Sequence, residues 1–128
     1  MKSHVLSIGQ CTPDDAGLAR VLATEADAHL DRARSGEDAR ALLAEKKYEL
    51  VLVNRILDAD GSSGVELIAA LAREAHMPPL MLVSDYAEAQ AQAVANGARM
   101  GFGKSTLHTP EVGQLLRQAL HSDARAGT

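Results

Sequence analysis

Residues 49–64 read ELVLVNRILDADGSSG. The stretch opens on a short apolar run, Leu50-Val51-Leu52-Val53. It breaks at Asn54 into a polar loop carrying Asp58, Asp60, Gly61 and Gly64. A run that short, rich in branched side chains and bounded by turn residues, predicts a strand buried on both faces. Such strands belong to parallel sheets, whose neighbouring strands need a helical crossover between them. Ligands and chemistry collect beyond the carboxyl ends of these strands. Asn54 stands at one such end, and what its side chain can do bears directly on function.

Working outward, the same alternation repeats. Val5 to Ile8 predicts a first strand ending at Gly9-Gln10-Cys11. Thr12-Pro13-Asp14-Asp15 reads as a helix start, with Thr12 as cap, proline in the first turn and acids at the positive end of the dipole. That helix continues through Leu18, Val21 and Leu22 as far as Ala28. A weaker strand follows at His29 to Arg34. Ser35 and Asp38 have capping-box spacing and open a second helix. After the strand at 50–53, a third helix runs from Gly64 to about Ala75. Pro78 and Pro79 stop it and introduce Leu80 to Val83 as strand four. An alanine-rich helix covers Ala87 to Asn96 and closes at Gly97. Arg99 to Phe102 is strand five, and Pro110 to His121 carries the apolar stripe of a last helix. Five strands alternating with five helices imply right-handed crossovers and a doubly wound α/β sandwich, flavodoxin-like, with strand order 2-1-3-4-5. Residues 1–122 form one domain, and 123–128 are expected as a flexible tail.

Composition narrows the function classes. Apolar residues are 46% of the chain but aromatics only 2%, so the core is aliphatic. Net charge is −4, and no basic stripe points to nucleic acid. One cysteine, Cys11, excludes an internal disulfide and a cysteine-rich metal site, and fits a reducing cytoplasm. The opening MKSHVLSIG has no apolar region long enough for a signal peptide, and no window approaches a membrane span. The five histidines lack metal-ligand spacing. Cys11 precedes a helix start, which leaves a thiol-dependent enzyme or a ligand-binding flavodoxin-like domain as a separate alternative.

The alternation, the YELVLVN and GVELI segments, Asn96-Gly97-Ala98, and Ser84 and Lys104 at strand ends together resemble the receiver domain of bacterial response regulators, including single-domain chemotaxis regulators. The resemblance spans nearly the whole chain. It implies a role in two-component phosphorelay signalling, with a histidine kinase or effector as partner. It also implies contact through the face of helix four, strand five and helix five, which could serve a homodimer too. In that family an aspartate ends strand three and accepts a phosphoryl group, and two acids ending strand one help hold Mg²⁺. A Ser or Thr and a Lys bind the phosphoryl oxygens, and an aromatic residue in strand five reports the change.

Here Asn54 stands at the acceptor position, Gly9 and Gln10 at the acidic pair, and Gly101 at the aromatic position. Ser84 and Lys104 match. A carboxamide is a poor nucleophile, and Mg²⁺ normally takes one or two carboxylates. The expectation is therefore a pseudo-receiver with its Mg²⁺ site lost, no cofactor, no catalysis, and signalling by protein contact. Asp58 or Asp60 is the alternative, displaced acceptor. Without an acceptor aspartate, Lys104 has Asp58, Asp60 and Asp85 as candidate partners; the other expectation leaves all four solvated.

Overall fold

The run at residues 50–53 occupies the middle of a five-stranded parallel sheet of order β2-β1-β3-β4-β5. The computed structural model describes residues 2–126. Along the chain lie β1 (Ser3–Ile8), α1 (Thr12–Ala26), β2 (Ala28–Ala33), α2 (Gly36–Glu45), β3 (Leu50–Asn54) and α3 (Gly64–Ala72). They are followed by β4 (Leu80–Val83), α4 (Ala87–Ala95), β5 (Arg99–Phe102), a 3₁₀ turn (Lys104–Thr106) and α5 (Pro110–Ala126). The expected fold class and strand order are those observed.

The two-residue period of the strands divides the core into two layers. Val5, Leu50, Leu52, Met81 and Val83 face α1 and α5, where Leu18, Leu22, Val112 and Leu116 cover them. Leu6, Ile8, Val51, Val53 and Leu82 face α2, α3 and α4, beneath Ala39, Ile68, Leu71 and Ala93. Both faces of β3 are therefore sealed, which is why its sequence is continuously apolar. Burying each such side chain contributes about 2 kcal/mol. Truncating Leu52 to alanine would cost about 3 kcal/mol, because neighbours on a rigid sheet collapse poorly into the gap.

Several element ends differ from expectation. Thr12 does not cap α1: the cap position is Cys11, with no side-chain hydrogen bond, and Thr12 is already helical. Its hydroxyl instead accepts from Arg32 Nη2 at 3.3 Å. α1 stops at Ala26 because Asp27 turns left-handed (φ 48°) and sends its N–H back to the Leu22 carbonyl, so Ala28 begins β2. α3 ends at Ala72, short of the expected Ala75, with Arg73 as its cap residue. Ser35 caps α2 as expected, accepting from the Asp38 N–H at 3.2 Å, and Ser63 caps α3 the same way through Glu66. α5 runs on to Ala126; of the tail expected at 123–128, residues 127–128 lie outside the described residues.

Candidate functional site

The carboxyl ends of β1, β3, β4 and β5 bring Gly9, Asn54, Ser84 and Lys104 to one rim. Asn54, Ser84, Asp85 and Lys104 line a single open cleft of about 360 Å³.

Asn54 is fully engaged. Its Nδ2 donates to the Gly9 carbonyl at 3.1 Å and to the Ile56 carbonyl at 2.8 Å. Its Oδ1 accepts the Arg55 N–H at 3.1 Å. Two converging carbonyl oxygens demand a donor, and only the amide end of the side chain supplies one. The same Gly9 carbonyl accepts the Asp58 N–H at 2.9 Å, so the β3–α3 loop is tied down on the end of β1.

Gly9 adopts φ +77°, and a Cβ there would lie 2.9 Å from the Leu57 Cα and collide with its side chain. Leu57 is buried. The space that a side chain from position 9 would enter is thus filled by the loop, and glycine is required both by backbone sign and by sterics. Gln10 follows, 4% exposed, its amide nitrogen and oxygen without a partner among the described residues.

Ser84 is spent on local structure: its Oγ accepts the Tyr86 N–H at 3.1 Å, and its own N–H donates to the Phe102 carbonyl at 2.9 Å. Lys104 Nζ pairs with Asp14 Oδ2 at 2.6 Å. This corrects the expectation that Asp58, Asp60 or Asp85 would meet it. The first turn of α1 lies beside the 3₁₀ turn after β5, and Asp14, Lys104 and Leu107 line one small cavity there. The three candidates are placed elsewhere. Asp85 Oδ1 accepts from Ser105 Oγ at 2.6 Å, and Asp60 Oδ1 accepts from Ser62 Oγ at 2.6 Å and Ser62 N at 2.9 Å. Asp58 and Asp60 sit exposed on the loop. The Ser62 bonds hold the Asp60 carboxyl below its ordinary value. Lys104, and after it the Cys11 thiol, hold Asp14 below its ordinary value as well.

Two buried polar centres were not visible in the sequence pattern. Ser7 Oγ donates to Asp15 Oδ1 at 2.5 Å, and Arg32 Nε donates to Asp15 Oδ2 at 2.6 Å. Burial pushes the Asp15 carboxyl up despite both contacts. Gln90, buried on α4, donates from Nε2 to the carbonyls of Leu82 (2.9 Å), Ser84 (3.0 Å) and Phe102 (3.3 Å), and accepts the Gly101 N–H at 3.1 Å. A Cβ at Gly101 would strike the Leu82 carbonyl and come within 3.1 Å of Gln90 Oε1. The strand position where the resemblance implies an aromatic residue is therefore closed by the α4–β5 stitch.

Mg²⁺ takes a near-octahedral shell of oxygens with one or two carboxylates. Position 9 offers no side chain, the Gln10 amide is neutral and enclosed, and Asn54 turns N–H groups toward the available carbonyls. These residues do not fit the ion. Among the described residues no three His, Cys, Asp or Glu side chains stand close enough to hold a metal.

Solved structures place this architecture. The signal receiver domain of an HD domain-containing protein from Pseudomonas fluorescens Pf-5 superposes with a TM-score of 0.81 at 21% identity, over 98% of this chain and 91% of that one. The fold is that of a receiver domain. The chemotaxis response regulator CheY4 of Vibrio cholerae gives a TM-score of 0.71 at 15% identity, over 94% of this chain and 99% of that one. A Burkholderia pseudomallei response regulator, in a structure with a phosphorylated aspartic acid, a calcium ion and citrate, gives 0.70 at 24% identity over 98% and 72%. No protein-family model and no curated protein sequence matches the chain. The likeness to receivers thus lies in the backbone.

Proposed function

We propose that this chain is a receiver-type module of a two-component phosphorelay that signals by protein contact and carries no phosphoryl group at position 54. The observation that carries the proposal is the double donation from Asn54 Nδ2 to the Gly9 and Ile56 carbonyls. A neutral amide has no nucleophilic oxygen to offer, and here it also replaces the cation that carbonyl oxygens would otherwise attract. Leu57 over Gly9, and Gln90 against Gly101, support a site held in one arrangement by its own contacts. We place no Mg²⁺, cofactor or catalysis in the module, and locate it in the cytoplasm. No helix among the described residues is long and apolar enough to cross a membrane.

The partner is a histidine kinase or an effector. Val94 on α4 and Met100 on β5 expose large apolar side chains on the α4–β5–α5 face, which supports that surface for partner binding or for a homodimer. A displaced acceptor at Asp58 or Asp60 has weaker support, because both are solvated and Asp60 is held by Ser62.

The test is incubation with acetyl phosphate and Mg²⁺, read by intact mass. No phosphoryl adduct is expected on the wild type. An adduct that disappears in Asp58→Asn or Asp60→Asn would overturn the proposal in favour of a displaced acceptor. Asn54→Asp is expected to remain unmodified as well, since its carboxylate would face two carbonyl oxygens, a loss of about 2 kcal/mol in stability.

A further inference from the structure

An open groove of about 640 Å³ runs between the β3–α3 loop and the start of α4. Its walls include two of the large apolar side chains that the fold leaves in solvent, Ile56 at 42% and Tyr86 at 62% exposure. Single exposed apolar residues are ordinary. Two on one groove, each on backbone that is pinned, are less so.

Ile56 is held outward by an isolated antiparallel bridge to Ser63. On either side of it, the Gly64 N–H donates to the Arg55 carbonyl at 2.7 Å and the Leu57 N–H to the Ser62 carbonyl at 2.9 Å. Leu57 is buried beneath, so Ile56 cannot turn inward without undoing this closure. Tyr86 is fixed through its N–H on Ser84 Oγ, and the Arg55 guanidinium lies over its ring at 4.6 Å from the centroid. The backbone of the groove is preformed, and little loop entropy remains to be lost when something enters it.

Its charge is one-sided. Glu66, Asp85 and Glu88 line it against the single cation Arg55, and the chain carries net −4. The Arg55 guanidinium lies over the Tyr86 ring, and Glu66 and Glu88 are exposed carboxylates of the rim with no ion pair among the described residues.

We propose that this groove docks a basic amphipathic segment of a partner protein. An apolar side chain of that segment seats between Ile56 and Tyr86, and its Lys or Arg side chains face Glu66 and Glu88. Apolar anchoring supplies the affinity, and the carboxylates set partner choice and approach rate. The groove shares the start of α4 with the α4–β5–α5 face but does not include Val94 or Met100. The proposal assumes nothing about phosphorylation at position 54, which intact mass reads separately.

The test is an amide-resonance titration of the full ¹⁵N-labelled chain with two synthetic heptad peptides, one of Leu and Lys, one of Leu and Glu. Saturable shifts at residues 55–56 and 86–88 are expected with the Leu/Lys peptide and none with the Leu/Glu peptide. Ile56→Ser, and separately Glu66→Lys with Glu88→Lys, should each weaken binding about tenfold. These positions are exposed, and the dispersion of the same spectra reports that the variants are folded. Shifts centred on Val94 and Met100, shifts indifferent to the substitutions, or no saturable shift would each overturn the proposal. So would a dimer in sedimentation that Ile56→Ser dissociates, because it would assign the groove to a second copy of this chain.

Discussion

Asp14 and Asp15 are neighbours in the first turn of α1, and they inhabit opposite environments. Asp14 faces the rim, partly solvated, against Lys104 at 2.6 Å. Asp15 points under the helix, 3% exposed, between Ser7 and Arg32. The hydrogen bond from Lys104 wins at Asp14 and holds its carboxyl below the ordinary value; desolvation wins at Asp15 and pushes its carboxyl above it. One residue of helical rotation thus separates an adjustable surface pair from a structural tie between α1, β1 and β2. Charge fastens the fold here, while the strand ends at Gly9, Gln10 and Asn54 carry none.

The most severe way to disturb this contrast is to add a third carboxylate at the end of β1. Gly9→Asp must enter the volume of Leu57 on a positive-φ backbone, and about 3 kcal/mol of stability should be lost in urea unfolding. Unchanged stability would mean that the loop yields and that the rim is not held as described. Next in size, Arg32→Ala strands the Asp15 carboxylate beneath α1. A loss of about 2 kcal/mol is expected, less than for a fully enclosed pair because Arg32 is itself half-exposed. Adding Asp15→Asn to that variant should recover part of it.

The pH dependence separates the two acids by sign. Asp15 titrates above the ordinary 3.8 in the folded state, so its contribution to stability is present below 3.8 and is lost as pH rises through the folded value. Asp14 titrates below 3.8, so its contribution is present above 3.8 and is lost as pH falls through the folded value. Stability of the wild type relative to Asp15→Asn should therefore decline with rising pH, and relative to Asp14→Asn should decline with falling pH. Carboxyl carbon shifts followed by NMR should show the two neighbours titrating on either side of 3.8; overlapping titrations would remove the contrast. The smallest effect belongs to Lys104→Ala, about 0.5 kcal/mol, diminishing as salt is added, because that pair is partly solvated.

Much of the fold was legible because its signals are local. The run 50–53, the proline stops at 78–79 and the cap at Ser35 each declare an element within a few residues, and the alternation of strands and helices then leaves few topologies. Element ends were less legible: Asp27 is an ordinary residue that happens to turn left-handed, and nothing near Thr12 says that the cap falls one residue earlier. At the site, Asn54, Ser84 and Lys104 were found because strand ends can be counted. Asp14 was read only as a dipole-favoured residue of the first turn, and Arg32 as part of a weak strand. Gln90 had no signal at all within an alanine-rich helix, since its four partners lie in β4, in β5 and at Ser84 just past the end of β4.

What the amino-acid sequence determined by itself is the order of elements and the absence of a carboxylate at positions 9, 10 and 54. The first follows from local periodicity, and the second from side-chain chemistry that no environment alters: an amide carries no negative charge to give. Only the tertiary structure decided which acid meets Lys104, why position 9 is glycine, and what the Asn54 amide does with its protons. Those contacts join residues 90, 48 and 45 positions apart, and their geometry is set by how α1 and the β3–α3 loop pack against the sheet rather than by any pattern along the chain.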